Sequence, residues 1–154
     1  MPVNIDTVFR LADDSVRRFD PNKLNWSWGQ ALYLYALSLI DTQHGTEKYT
    51  DYIGRFYDNK LRTGYRINTS DTSAPALGAL YLAQKTGEQR YWAIVKQARE
   101  YFDRAPKVVE DMPNHLGYGY EGHFYPKSIW VDSLMMYGVF TGHYAKLTGD
   151  AKFV

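Results

Sequence analysis

The chain contains no cysteine. Disulfides, thiolate zinc sites and cysteine nucleophiles are therefore excluded together. It also lacks an excess of either charge: eighteen Lys plus Arg stand against seventeen Asp plus Glu, a formal +1. Without a basic excess, nucleic acid is not expected as the main partner. No apolar run approaches the ~20 residues of a membrane helix, so no membrane partner is expected either. The opening Met1-Pro2-Val3-Asn4-Ile5-Asp6 has no basic n-region and no apolar h-region, which reads as no secretory signal and a cytoplasmic protein. What is present in excess is aromatic, with 14 Tyr, 7 Phe and 4 Trp. So many rings either fill a core or line a surface that stacks on other rings. At 154 residues, 45% apolar and 23% charged, the chain has the composition of one folded domain.

Helical periodicity dominates. Trp28 to Ile40 is apolar nearly all round, as a buried helix should be. Glu47 to Leu61 carries Tyr49, Tyr52, Ile53, Phe56 and Tyr57 at three- and four-residue steps. The alternation recurs with the apolar Ala74 to Ala83, the amphipathic Gln89 to Phe102 and the mostly apolar Asp132 to Leu147, while Val3 to Phe19 supplies a first outer helix. Strand alternation is confined to short pieces between residues 62 and 70. Three Gly/Thr turns followed by charges and an aromatic mark a repeat, with Tyr49, Tyr91 and Phe153 as equivalents 42 and 62 residues apart. The longer interval accommodates roughly 20 extra residues at Ala105 to Ile129, rich in Pro, Gly, His and Tyr, and so read as a loop. Buried inner helices alternating with amphipathic outer ones describe an array of αα-hairpins, either a solenoid or a closed α/α toroid. Counting back 20 or 21 residues from each anchor lands on Trp28, Asp71 and Asp132. These three start equivalent inner helices at one end, where two carboxylates and a tryptophan converge.

The run Tyr125-Pro126-Lys127-Ser128-Ile129-Trp130-Val131-Asp132-Ser133-Leu134-Met135-Met136 resembles a motif of the unsaturated rhamnogalacturonyl hydrolases and the unsaturated glucuronyl hydrolases (glycoside hydrolase families 105 and 88). Asp71-Thr72-Ser73-Ala74-Pro75 resembles their second Asp segment, and Trp26-Ser27-Trp28-Gly29-Gln30 their first inner helix. Ser128-Ile129 stands where Gln-Met is common, and Met135 where Tyr is usual. The resemblance implies an all-α fold, an (α/α)6 barrel. Six hairpins of ~42 residues need roughly 250 residues, so residues 1–154 are expected to form the N-terminal half of one catalytic domain, inactive by itself, with an open flank inviting self-association. It implies hydration of the C4–C5 double bond of an unsaturated uronic acid at the end of a pectin- or glycan-derived oligosaccharide, without a cofactor. Asp132 would be the general acid/base and Asp71 the second carboxylate.

Such a hydration needs a proton delivered to one carbon and water added to the other, work suited to a carboxyl group protonated near neutral pH. At a helix N-terminus the dipole would lower the Asp132 pKa, whereas desolvation by Trp130 and Met136 and repulsion by a close Asp71 would each raise it. The plainer alternative makes each Asp only a helix cap. Trp130, Trp28, His123 and Met136 are the substrate-binding candidates, with Trp26 less favoured; of the two histidines in the insert, His123 is preferred to His115 for its closeness to the motif. His44 and His143 read as structural or solvated. Gly117-Tyr118-Gly119-Tyr120-Glu121-Gly122 spells G-x-G-x-x-G but follows no strand and opens no helix, so no dinucleotide is expected. His115 and His123 lack further ligands at metal spacing, so no metal site is expected. The rival readings are a helical-repeat scaffold for a partner protein and another toroid sugar enzyme such as an epimerase.

Overall fold

In the computed structural model, residues 4–150 and Lys152 are described. Helix α1 (Ile5–Arg18) opens with Asn4, whose side chain accepts from the Asp6 amide. Helices α2 (Trp28–His44), α3 (Thr50–Thr63), α5 (Ala76–Thr86), α6 (Gln89–Arg104) and α7 (Val139–Thr148) follow, with a short α4 (Ser70–Ser73) before α5. Gly45, Gly87 and Gly149 end α2, α5 and α7 in the left-handed conformation, at the three turns of the repeat.

The inner helices α2, α5 and α7 pack side by side, and α3 and α6 pack on them from outside. Leu34, Leu37, Ile53, Phe56, Tyr57, Leu82, Ile94, Val95, Phe102 and Phe140 form one core between the two layers. The opposite face of the inner helices is only partly covered; Tyr35, Leu39, Thr42, Leu80, Tyr81 and His143 line a shallow groove along it. The repeat anchors behave as equivalents. Tyr49 and Tyr91 are both buried. Each sends its hydroxyl to an aspartate of the preceding outer helix, Asp13 at 2.9 Å and Asp58 at 3.0 Å. The third anchor, Phe153, lies outside the described residues, as does Val3.

Three local expectations change. The apolar segment expected from Ala74 becomes helical as α5 only at Ala76, and Pro75, which has no N–H for the ladder, separates it from the short polar α4 at Ser70–Ser73. The segment Asp132 to Leu147 begins as a turn and a π-helical stretch at Leu134–Gly138, and becomes α-helical only at Val139. The insert is not wholly loop. Strands β1 (Lys107–Val109) and β2 (Met112–Pro113) pair antiparallel within it, and a 3-10 turn covers Tyr120–His123. Residues 64–69, where strand was entertained, are extended but unpaired as strands.

The insert docks on the segment ahead of α4. Tyr118 donates its amide to the Asn68 carbonyl at 2.7 Å, and Ser70 donates its own to the His115 carbonyl at 2.9 Å. Two glycines permit that approach. Gly117 has φ +49, and a Cβ there would lie 2.3 Å from both the Asn68 carbonyl oxygen and the Tyr101 hydroxyl; at Gly119 it would meet Thr69 Cγ2 at 2.8 Å. The glycine pattern of 117–122 thus serves backbone packing. Gly117→Ala is expected to cost about 2 kcal/mol, roughly 5 °C in Tm. A calorimetric Tm equal to that of the unchanged chain would show that the insert does not need this close approach.

Candidate functional site

The insert places one histidine between the two aspartates singled out by spacing. His115 is 2% exposed. Its Nε2 lies 3.6 Å from Asp71 Oδ1 and its Nδ1 3.8 Å from Asp132 Oδ1. The backbone of His115 is gripped from the same two sides: its amide donates to the Ser128 carbonyl and its carbonyl accepts from Ser70, each at 2.9 Å. Asn114, also buried, accepts the Ser128 amide at its side-chain oxygen. One short strap of chain therefore joins the segment before Asp71 to the segment before Asp132.

Ring orientation follows from the surrounding hydroxyls. Ser70 Oγ lies 2.7 Å from Nδ1 and donates its single hydrogen to the His115 carbonyl at 2.8 Å. The same hydroxyl thus lies within hydrogen-bond reach of both the ring Nδ1 and the backbone of His115. Ser133 Oγ, 2.9 Å away, flanks the same nitrogen. Nε2 faces Asp71 Oδ1 at 3.6 Å. Trp130 closes one face of the ring, stacked at 4.1 Å between centroids and 10° between planes. Its indole N–H donates to Ser128 Oγ.

Neither aspartate caps its helix. Thr69 is the N-cap of α4, in a reciprocal capping box with Thr72, and the turn leading into the π-helical stretch makes no side-chain cap. Both carboxylates remain partly open to solvent, with 39% and 49% of the Asp71 and Asp132 side chains exposed. Burial pushes the Asp71 carboxyl above its ordinary value; His115 opposes the shift and the Asp132 charge adds to it. Asp71, His115 and Asp132 present ligand atoms within 4.8 Å of one another, and they are the residues that could converge on a cation. The hydroxyl pair at Nδ1 leaves Nε2 as the ring nitrogen open to such a role.

The other sequence candidates distribute differently. Trp28 begins α2 and is half exposed, as is Trp130. Met136 is 1% exposed and sits in an apolar knot with Ala31 and Ala74, which makes it packing beneath the site and not a surface that meets a sugar. His123 is exposed on the 3-10 turn, whereas His115, less favoured from sequence, is the histidine between the aspartates. Trp26 is a tie within the fold: its indole N–H donates to the Thr72 carbonyl at 2.9 Å, and its ring stacks on Tyr65. Ser70 and Ser133 escaped the sequence reading. Their one available signal was adjacency, since each neighbours one of the two aspartates.

Comparison with known proteins agrees with this architecture. The family model described as Glycosyl Hydrolase Family 88 matches residues 4–154. Among solved structures, the chain is similar to one described as a possible member of the GH105 family from Klebsiella pneumoniae subsp. pneumoniae MGH 78578, with 23% identity and a TM-score of 0.73. That match covers 84% of this chain and 33% of the other, so the chain spans about a third of the solved protein's length. At this identity the likeness bears on fold: the helical hairpins here are arranged as in an α/α toroid. No curated protein matches the chain. Among the described residues no helix is long and apolar enough to cross a membrane.

The raised Asp71 pKa sets the sign of a stability effect. Below the ordinary carboxylate pKa of about 3.9, Asp71 is protonated whether the chain is folded or unfolded, and its burial costs no charge. As pH rises through the elevated folded value, the folded state must bury a charge and loses stability. Asp71→Asn is therefore expected to raise Tm at pH 7 relative to the unchanged chain and to lose that advantage near pH 3. Equal Tm differences at the two pH values would show that burial does not govern Asp71.

Proposed function

The chain belongs to glycosyl hydrolase family 88, and from that membership we propose that its two aspartates act on an unsaturated uronic acid at the end of a pectin- or glycan-derived oligosaccharide. The observation that carries this reading is the meeting of Asp71 and Asp132 on one buried histidine, from inner-helix starts 61 residues apart. The proposal concerns the complete catalytic domain, of which residues 1–154 supply these carboxylates, acting in the cytoplasm and needing no cofactor.

Hydration adds a proton to C4 and water oxygen to C5 of the C4–C5 double bond. The hemiketal formed at C5 then opens, and the glycosidic bond to the next sugar is lost. Asp132, the more exposed carboxyl, is the group we assign to deliver the proton and, once ionised, to draw one from the attacking water. Asp71 is the second carboxyl, poised by burial to share a proton with His115 or with the substrate. Trp130 and Trp28, each about half exposed, offer ring faces for the sugar. Trp130 also shields the His115 ring, so its loss would disturb positioning as well as binding. His123, exposed on the insert, is a candidate for a hydrogen bond to substrate.

Absorbance of the conjugated double bond in an unsaturated disaccharide is the direct assay, run on the complete domain. The absorbance is expected to fall, and Asp132→Asn to slow that loss by about 10²–10⁴-fold, the usual contribution of a positioned acid/base. A folded protein that leaves rhamnose-linked and glucosamine-linked substrates untouched would overturn the hydration reading.

A further inference from the structure

Next to the aspartate pair, on the outer side of the same strap, lies a cavity of about 290 Å3 lined by Arg66, Ile67, Asn68, Tyr101, Arg104 and Tyr118. We propose that this cleft binds the carboxylate of an acidic sugar residue, as a subsite separate from the aspartate pair; the sugar class rests on the proposed function above. Its volume is at the low end of the ~300–1,000 Å3 range of ligand pockets, which suits one sugar ring. Its lining is cationic. Arg66 and Arg104 are both exposed residues on its rim, and Arg66 forms no salt bridge among those of the described residues. Arg104 keeps a loose contact with Glu100 at 3.7 Å, which leaves nitrogens of its guanidinium for a second carboxylate. The Tyr118 hydroxyl is already committed to the Arg104 carbonyl.

The floor adds an independent sign. Tyr101 is 3% exposed, and its hydroxyl has no hydrogen-bond partner. A buried hydroxyl without a partner costs about 1–3 kcal/mol, so such groups call for an explanation. An acceptor seated in the cleft would supply one. The cleft also borders the machinery it would serve. Asn68, one of its walls, is three residues ahead of Asp71, and its carbonyl receives the Tyr118 amide three residues beyond His115. An occupant would thus press on the backbone joint that sets the aspartate pair.

The test is calorimetric titration of the whole protein at low ionic strength with galacturonate, galactose and inorganic phosphate. Galacturonate should bind at least 10-fold more tightly than galactose, which differs by the missing carboxylate, and more tightly than phosphate. Arg66→Gln and Arg104→Gln should each weaken it by about 5-fold. Tyr101→Phe should weaken it while leaving Tm unchanged or raised, an outcome that a purely structural tyrosine would not produce. Equal binding of galactose, equal or tighter binding of phosphate, or full affinity in both arginine variants would overturn the proposal. Failure of the absorbance assay with this titration intact would instead overturn the hydration reading alone.

Discussion

The strap at Asn114–Tyr118 is the constraint on which the site depends. It hydrogen-bonds to residues 68 and 70 on one side and to Ser128 on the other, so it couples the two inner-helix starts that carry the aspartates. Its central residue repeats the connection with a side chain, one ring nitrogen toward each carboxylate. Without it, Asp71 and Asp132 would stand on separate turns with nothing between them but solvent. Burial of the histidine, the two flanking serines and the stacked indole remove its rotational freedom. A half-exposed carboxylate pair is then held by a buried histidine.

This arrangement divides labour between helices and insert. The helical hairpins supply the frame, with aromatic and aliphatic side chains closing a core between inner and outer layers. Each hairpin can bury its apolar face only against a neighbour, as expected of a repeat array. The insert adds little to that core. It contributes the histidine that lies between the two aspartates, and Gly117 and Gly119 let its backbone pass against residues 68 and 69.

Much of this was legible in the sequence. The inner helices were visible as apolar runs and the outer ones as amphipathic stretches, and the Gly/Thr turns gave the repeat. Counting back from Tyr49 and Tyr91 found the inner-helix starts because equal hairpins have equal lengths. The breaks were less visible. Pro75 sets the start of α5 at Ala76, behind a separate short α4, and the π-helical stretch at Leu134–Gly138 has the same composition as an α-helix. The histidine that lies between the aspartates was not the one that the sequence favoured. Closeness along the chain favoured His123, but the insert doubles back through β1 and β2, so the nearer residue in sequence ends exposed and the farther one is buried. Met136 was read as lining the site because it follows Asp132 by one helical turn, and it is instead buried against Ala31 and Ala74.

Family membership gives the frame a chemical setting, and the aspartate pair gives it a focus; the strap is what makes the pair a unit. Native-state hydrogen exchange of the Ser70, His115, Tyr118 and Ser128 amides tests that claim most directly, since amides in one cooperative unit share one opening free energy. The account predicts that all four open together. Ser70 exchanging with the helices while His115 and Ser128 exchange earlier, as a loose loop, would contradict it.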